Sequence, residues 1–170
     1  SDNAEDTTAG FVLLSEGTIT VTAGHDGIQG ATDVLVGAGA IAVTAGEGAT
    51  QDESGKGLKG GVLVVVAGGT TTVDSVDDAV HANGTVLVTD GTLTLATKDD
   101  GIHADAALTI AGGEVSVTQS YEGLESQVVT ISGGDIDLIS DDDGINVSGG
   151  NDGSGQQGPG GGGDAFATDA

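Results

Sequence analysis

One four-residue phrase recurs along the chain, and its spacing constrains the fold more than any other feature. Asp26-Gly-Ile-Gln29, Lys56-Gly-Leu-Lys59, Asp78-Ala-Val-His81, Asp100-Gly-Ile-His103, Glu122-Gly-Leu-Glu125 and Asp143-Gly-Ile-Asn146 align at intervals of 30, 22, 22, 22 and 21 residues. The long interval holds an insertion, Gly46-Glu-Gly-Ala-Thr-Gln-Asp-Glu-Ser54. A repeat of this length is a single supersecondary unit that buries its apolar face only by stacking on its neighbours.

Alignment on the phrase brings five apolar columns into register. They are Val12, Val34, Val64, Val86, Leu108, Val129; then Leu14, Val36, Val66, Val88, Ile110, Ile131; then Ile19, Ile41, Thr71, Leu93, Val115, Ile136; then Val21, Val43, Val73, Leu95, Val117, Leu138; and last Ile28, Leu58, Val80, Ile102, Leu124, Ile145. Within each repeat, apolar residues alternate with small or polar ones, which is the period of a strand with one buried face. Most are β-branched, as strands favour, and no helical period is present. Each repeat thus reads as three short strands separated by turns, one of them glycine-containing. The expected fold is all-β: a parallel β-helix of about six rungs of roughly 22 residues, each rung advancing about 4.8 Å. Right-handed winding is the default for parallel crossovers. Aromatics are confined to Phe11, Phe166 and Tyr121, as a narrow bore requires. The sequence divides into a solenoid over 1–148, expected to be a segment of a longer one, and a Gly-rich loop or tail over 149–170.

Charge limits the partners. Twenty-seven acids face three lysines and no arginine, for a net charge of −24. Such a surface repels nucleic acid and anionic membranes. No apolar run is long enough for a transmembrane helix. With no cysteine, disulfides and thiolate metal sites are excluded.

Stacking turns sequence spacing into spatial contact. The column before the landmark glycine is Asp26, Lys56, Asp78, Asp100, Glu122, Asp143, and the column before that is His25, Gly55, Asp77, Asp99, Tyr121, Asp142. Acids therefore lie over acids. Two like charges one rung apart repel by about 1 kcal/mol in water and roughly 3–4 kcal/mol at a surface-like dielectric. Three readings compete: exposed turn carboxylates that splay into water, calcium bridging between rungs through hard oxygen ligands, and a glycosidase acid–base pair. Repetition on successive rungs argues for turn structure or metal over catalysis, and the match to calcium's oxygen ligands favours calcium, with Asp77, Asp78, Asp99, Asp100, Glu122, Glu125, Asp142 and Asp143 as candidate ligands. The fullest pocket is expected from Asp99/Asp100, Glu122/Glu125 and Asp142/Asp143.

The column three residues after the acid, Gln29, Lys59, His81, His103, Glu125, Asn146, is wholly polar and is expected to face solvent. His81 and His103 stack there and could hold zinc, but a pair without further imidazole or thiolate is a weak set. A threonine column (Thr20, Ala42, Thr72, Thr94, Ser116, Asp137) is interrupted at Ala42 and ends acidic, so β-propensity accounts for it.

The phrases "DDAVHANGTV" (77–86), "DDGIHADAALTI" (99–110), "SYEGLES" (120–126) and "DDDGINVSGGNDGSG" (141–155), with Ser1-Asp-Asn-Ala-Glu-Asp-Thr-Thr8, carry a resemblance. The chain resembles the clostridial-type carbohydrate-binding domain family of secreted β-helix proteins. The resemblance implies a right-handed parallel β-helix similar to pectate lyases, a network of calcium ions held by the acidic landmarks, and binding of cellulose or acidic pectin-type polysaccharide outside the cell or at its surface. Ala79 and Lys56 depart from the family's landmark glycine and acid. Acidic glycans are favoured over neutral ones, which call for aromatic platforms that Tyr121 alone does not make. Tyr121, His81, His103 and Lys98 are the expected ligand-facing residues. A lyase would need a Lys or Arg base, and Lys98 is the only lysine next to an acid pair, so a non-catalytic binder is expected. The alternative is an adhesive fibre of end-to-end stacked subunits.

Overall fold

The structure is a computed structural model that describes residues 9–48 and 54–147. The Gly-rich segment over 149–170 and the middle of the insertion lie outside the described residues. Within them the chain forms sixteen strands and no helix, so none is long and apolar enough to cross a membrane.

The strands fall into three parallel stacks. The first contains β1 (Val12–Leu14), β4 (Asp33–Val36), the start of β7 (Leu63–Ser75), the start of β9 (Thr85–Ala96), β11 (Ala107–Ile110) and β14 (Val129–Ile131). The second contains β2 (Thr18–Ala23), β5 (Ala40–Ala45), the later parts of β7 and β9, β12 (Glu114–Gln119) and β15 (Asp135–Leu138). The third contains β3 (Ile28–Gly30), β6 (Leu58–Gly60), β8 (Val80–Ala82), β10 (Ile102–Ala104), β13 (Leu124–Ser126) and β16 (Ile145–Asn146). This is a parallel β-solenoid of about six turns. On two middle rungs the first and second strands run together as β7 and β9, joining their stacks into one sheet.

The register equals the column alignment. Val12 pairs with Val34, Val34 with Val64, Val64 with Val86, Val86 with Leu108, and Leu108 with Val129. In the third stack Ile28 pairs with Leu58, Leu58 with Val80, Val80 with Ile102, and Ile102 with Leu124. Like over like lets each aliphatic chain rest on a near-copy of itself, and the middle members of all five columns are buried.

A sixth inward column is made of small residues, Gly30, Gly60, Ala82, Ala104 and Ser126. A Cβ at Gly30 or Gly60 would lie 2.1 or 2.3 Å from the carbonyl oxygen of Asp33 or Leu63, so this corner admits nothing larger at those rungs.

Two kinds of glycine hold the turns. Gly17, Gly39, Gly69, Gly91, Gly113 and Gly134, between the first and second strands, have φ between 78° and 101°, which L side chains avoid. The landmark glycine differs. Gly101 has no left-handed backbone, but a Cβ there would meet the Gly123 carbonyl oxygen at 2.5 Å and Val117 at 2.8 Å. It is glycine because the next rung passes too close.

One residue in the apolar columns is out of keeping. Thr71, 1 % exposed between Ile41 and Leu93, buries a hydroxyl with no hydrogen-bond partner. An unsatisfied buried hydroxyl costs about 1–3 kcal/mol. Thr71→Val keeps the shape and removes the orphan, so it should stabilise the fold by about 1 kcal/mol, raising Tm by roughly 2–4 °C. A thermal melt showing equal or lower Tm for the variant would refute this account of the column.

Candidate functional site

The turn from the second strand stack into the third brings the two acid columns and the polar column of the third stack to one corner. Period-two alternation in β10 points Ile102 and Ala104 into the bore and His103 away from it. The acid three residues earlier then sits against that outward side chain: Asp78 Oδ2 is 2.7 Å from His81 Nδ1, and Asp100 Oδ2 is 3.0 Å from His103 Nδ1.

Gln29 is exposed as alternation suggests, but from the third landmark onward the polar column is not a solvent face. His81, Glu125 and Asn146 are buried and His103 is half-buried. Alternation fixes which side of a sheet a residue takes, and here the acids of the corner cover that side. Asp78 and Asp100, at 2 % and 1 % exposed, form the inner acid layer with Glu122. The outer layer is more open: Asp77 and Asp99 are half-buried, and Tyr121, Asp142 and Asp143 are exposed.

The acids do not stand alone. Lys56 Nζ is 2.7 Å from Asp77 Oδ1 and 2.8 Å from Asp78 Oδ2. Lys59 Nζ is 2.7 Å from Asp26 Oδ2. Lys56, which breaks the acid column in sequence, thus supplies its cation one rung on. Opposite charges in one column at one-rung separation were the available signal. Lys98 is exposed. Farther along, Asn146 donates to both Glu122 carboxylate oxygens at 3.0 and 3.1 Å. Tyr121 and Asp142 meet through the backbone, where Asp142 N–H donates to the Tyr121 carbonyl at 2.9 Å.

Among the described residues three groups converge closely enough to hold a metal: Asp77, Asp78 and Asp99; Asp78, His81 and His103; and Asp100, His103 and Glu125. Of the expected ligands, Asp77, Asp78, Asp99, Asp100 and Glu125 fall in these groups, and Glu122, Asp142 and Asp143 do not. The three groups lie on the third to fifth landmark phrases, and His81 and His103 take part in them beside the acids.

Electrostatics follow the same geometry. Burial alone would raise Asp78, but the His81 hydrogen bond and the Lys56 charge outweigh it and hold the carboxyl well below the usual range. Asp26 is lowered too, its burial being overcome by Lys59, Ser54 and the Lys56 N–H. Burial, with the charges of Asp78 and Asp77, pushes Asp99 up to about 7. Burial, with Asp78, Glu125 and Asp99, pushes Asp100 up to about 9 against the His103 hydrogen bond. Burial opposes the charge on His103, yet Asp100 and Glu125 carry it up to about 11.

These findings define a class: a parallel β-solenoid with a buried, partly self-neutralised acidic corner. A family model described as carbohydrate-binding domain-containing protein matches residues 1–101, more than half of the 170 residues. The chain belongs to that family. No curated protein and no solved structure matches it.

The shifts set a pH profile for metal-free protein. Asp99, Asp100 and His103 all bind protons more tightly when folded, and such groups stabilise the fold below their unfolded values and lose that contribution as pH rises through the folded ones. For the carboxyls this window opens near 3.8 and closes near 7 and 9. For His103 it runs from 6.5 to about 11. Asp78 and Asp26 act oppositely and withdraw stability only below about 3.8. Tm in chelator should therefore fall from pH 5 to pH 9. A flat or rising Tm over that range would contradict the buried acid arrangement.

Proposed function

We propose that the chain is a non-catalytic, extracellular carbohydrate-binding module that takes acidic, pectin-type polysaccharide along the outer acid layer with the help of calcium. The family match supports the carbohydrate. The observation that carries the acidic preference is the outer layer itself. Asp77, Asp99, Tyr121 and Asp142 repeat along one edge at strand spacing, and Tyr121, 39 % exposed, is its one aromatic. A lone aromatic makes a poor stacking platform for a neutral glucan.

Asp77, Asp78 and Asp99 offer only oxygens and suit calcium in donor chemistry. Lys56 already holds two of those carboxylates, so calcium there would take over from the ammonium. When bound, calcium supplies the positive charge that lets a uronate approach a protein of charge −24. The chain's own part is to present carboxylates at a fixed pitch on a rigid edge. Catalysis is disfavoured because arginine is absent and Lys56 and Lys59 are engaged by Asp77, Asp78 and Asp26, which leaves the exposed Lys98 as the one remaining candidate for a lyase base.

Retention on immobilised polygalacturonate should require calcium, be lost in chelator, return on adding calcium back, and weaken several-fold in Asp99→Asn. Chelator-insensitive retention would sink calcium bridging, and retention on a neutral β-glucan alone would sink the acidic preference. The competing fibre reading draws on the sixth rung, where Ile131 and Ile145 are 45 % and 48 % exposed. It expects calcium-dependent growth of the sedimenting species with concentration, and a monodisperse monomer would remove it.

A further inference from the structure

The inner acid layer has a chemistry distinct from the outer one. His81 and His103 are built alike on adjacent rungs, their rings 5.0 Å apart. Each ring gives its Nε2 to the residue two positions on. His81 Nε2 is 2.9 Å from Asn83 Oδ1, and His103 Nε2 is 3.2 Å from Asp105 Oδ1. Both oxygens are acceptors, which places the N–H on Nε2. Each Nδ1 is left facing carboxylate oxygen. For His103 there are two such oxygens, Asp100 Oδ2 at 3.0 Å and Glu125 Oε2 at 2.9 Å. A bare nitrogen lone pair cannot rest against two carboxylates, so a proton or a metal ion lies between them.

A second observation separates these occupants. Asp100 is 1 % exposed, and its Oδ1 has no hydrogen-bond partner. A proton on His103 Nδ1 serves Oδ2 and leaves Oδ1 orphaned at full desolvation cost. A metal ion can be chelated by a carboxylate through both of its oxygens, which a proton on His103 Nδ1 cannot match. The carboxylate oxygens lie 3.0 and 2.9 Å from His103 Nδ1 and all three donor atoms lie within 4.8 Å of one another, so a few tenths of an ångström of expansion gives the roughly 3.3–3.5 Å that bonds of about 2.0–2.2 Å impose on tetrahedral neighbours. Asp105 stands as the outer carboxylate that orients a metal-bound imidazole.

We propose that Asp100, His103 and Glu125 form a site for a borderline divalent transition metal of the zinc class, with Asp105 as its positioning residue. The imidazole nitrogen selects against calcium, which takes oxygen donors. This site stands apart from the glycan reading. It lies in the buried layer, and two of its three ligands, His103 and Glu125, fall beyond the residues matched by the family model.

The test is zinc binding by the full chain, without glycan, in the presence of millimolar calcium. Zinc should bind with release of protons, measured calorimetrically in buffers of different ionisation enthalpy. On protein labelled with 15N-histidine, one imidazole Nδ1 should move to the metal-bound position while its Nε2 stays protonated. His103→Gln, whose amide still donates to the carboxylates, should lose at least tenfold in zinc affinity, and Asp105→Asn about tenfold to a hundredfold. Should His103→Gln fail to fold, the imidazole resonances of the unsubstituted chain decide the question. Displacement of zinc by equimolar calcium, uptake without a change in any Nδ1, or unchanged affinity in a folded His103→Gln overturns the site. Loss of polygalacturonate binding with zinc binding intact would count against the glycan reading alone.

Discussion

In-register parallel stacking is the constraint on which the whole molecule depends. Each side chain has a repeat of itself as nearest neighbour at strand spacing. For Val, Leu and Ile this is favourable, because a column of like shapes fills a narrow bore and buries most of the available apolar surface. The same rule applied to an acid creates a line of like charges that cannot be relieved by changing register. A shift of one residue would turn the aliphatic columns out of the bore. Core and corner are two consequences of one pairing.

The corner answers this in stages along the chain. At the early rungs the countercharge is a lysine ammonium: Lys59 meets Asp26, and Lys56 meets Asp77 and Asp78. At the middle rungs it is imidazole, with His81 against Asp78 and His103 against Asp100 and Glu125. At the sixth rung Asp142 and Asp143 are exposed and water screens them. Two of three lysines and two of three histidines in the chain are spent here. In a protein with so few basic residues, that concentration identifies the corner as the place where charge had to be balanced.

Much of this was legible in the sequence. Column alignment alone yields the strand stacks, their register and the middle of the core, because stacked repeats make sequence period and spatial contact the same thing. What escaped was depth. Gln29, Lys59, His81, His103, Glu125 and Asn146 point away from the bore, as alternation requires, yet Glu125 is only 2 % exposed. Alternation carries no information on what covers the outer side of a strand. The landmark glycine was similarly half-legible. Its recurrence marks a constraint, but whether that constraint is a left-handed backbone, as at Gly91, or a close approach, as at Gly101, depends on the neighbouring rung. Lys56 looked like damage to an acid motif because columns were compared for sameness. Compared for charge, it is the partner of the acid one rung on.

The staged neutralisation bears on what the corner is for. A lysine is a permanent countercharge, and rungs built on it are stable whatever the solution holds. Nothing in the geometry forbids a lysine at the fourth landmark, since Lys56 occupies the same column two rungs earlier. The chain instead places Asp100 there, 1 % exposed, with one oxygen unpartnered. That choice leaves the later rungs with less built-in positive charge where donors from two successive turns, Asp100, His103 and Glu125, converge. Binding an ion to the folded corner and not to the unfolded chain stabilises those rungs in proportion to the logarithm of its free concentration above Kd. With the proposed ion bound at Asp100, the later rungs would owe part of their stability to the cation supply, whereas the early rungs carry Lys56 and Lys59 as built-in countercharges.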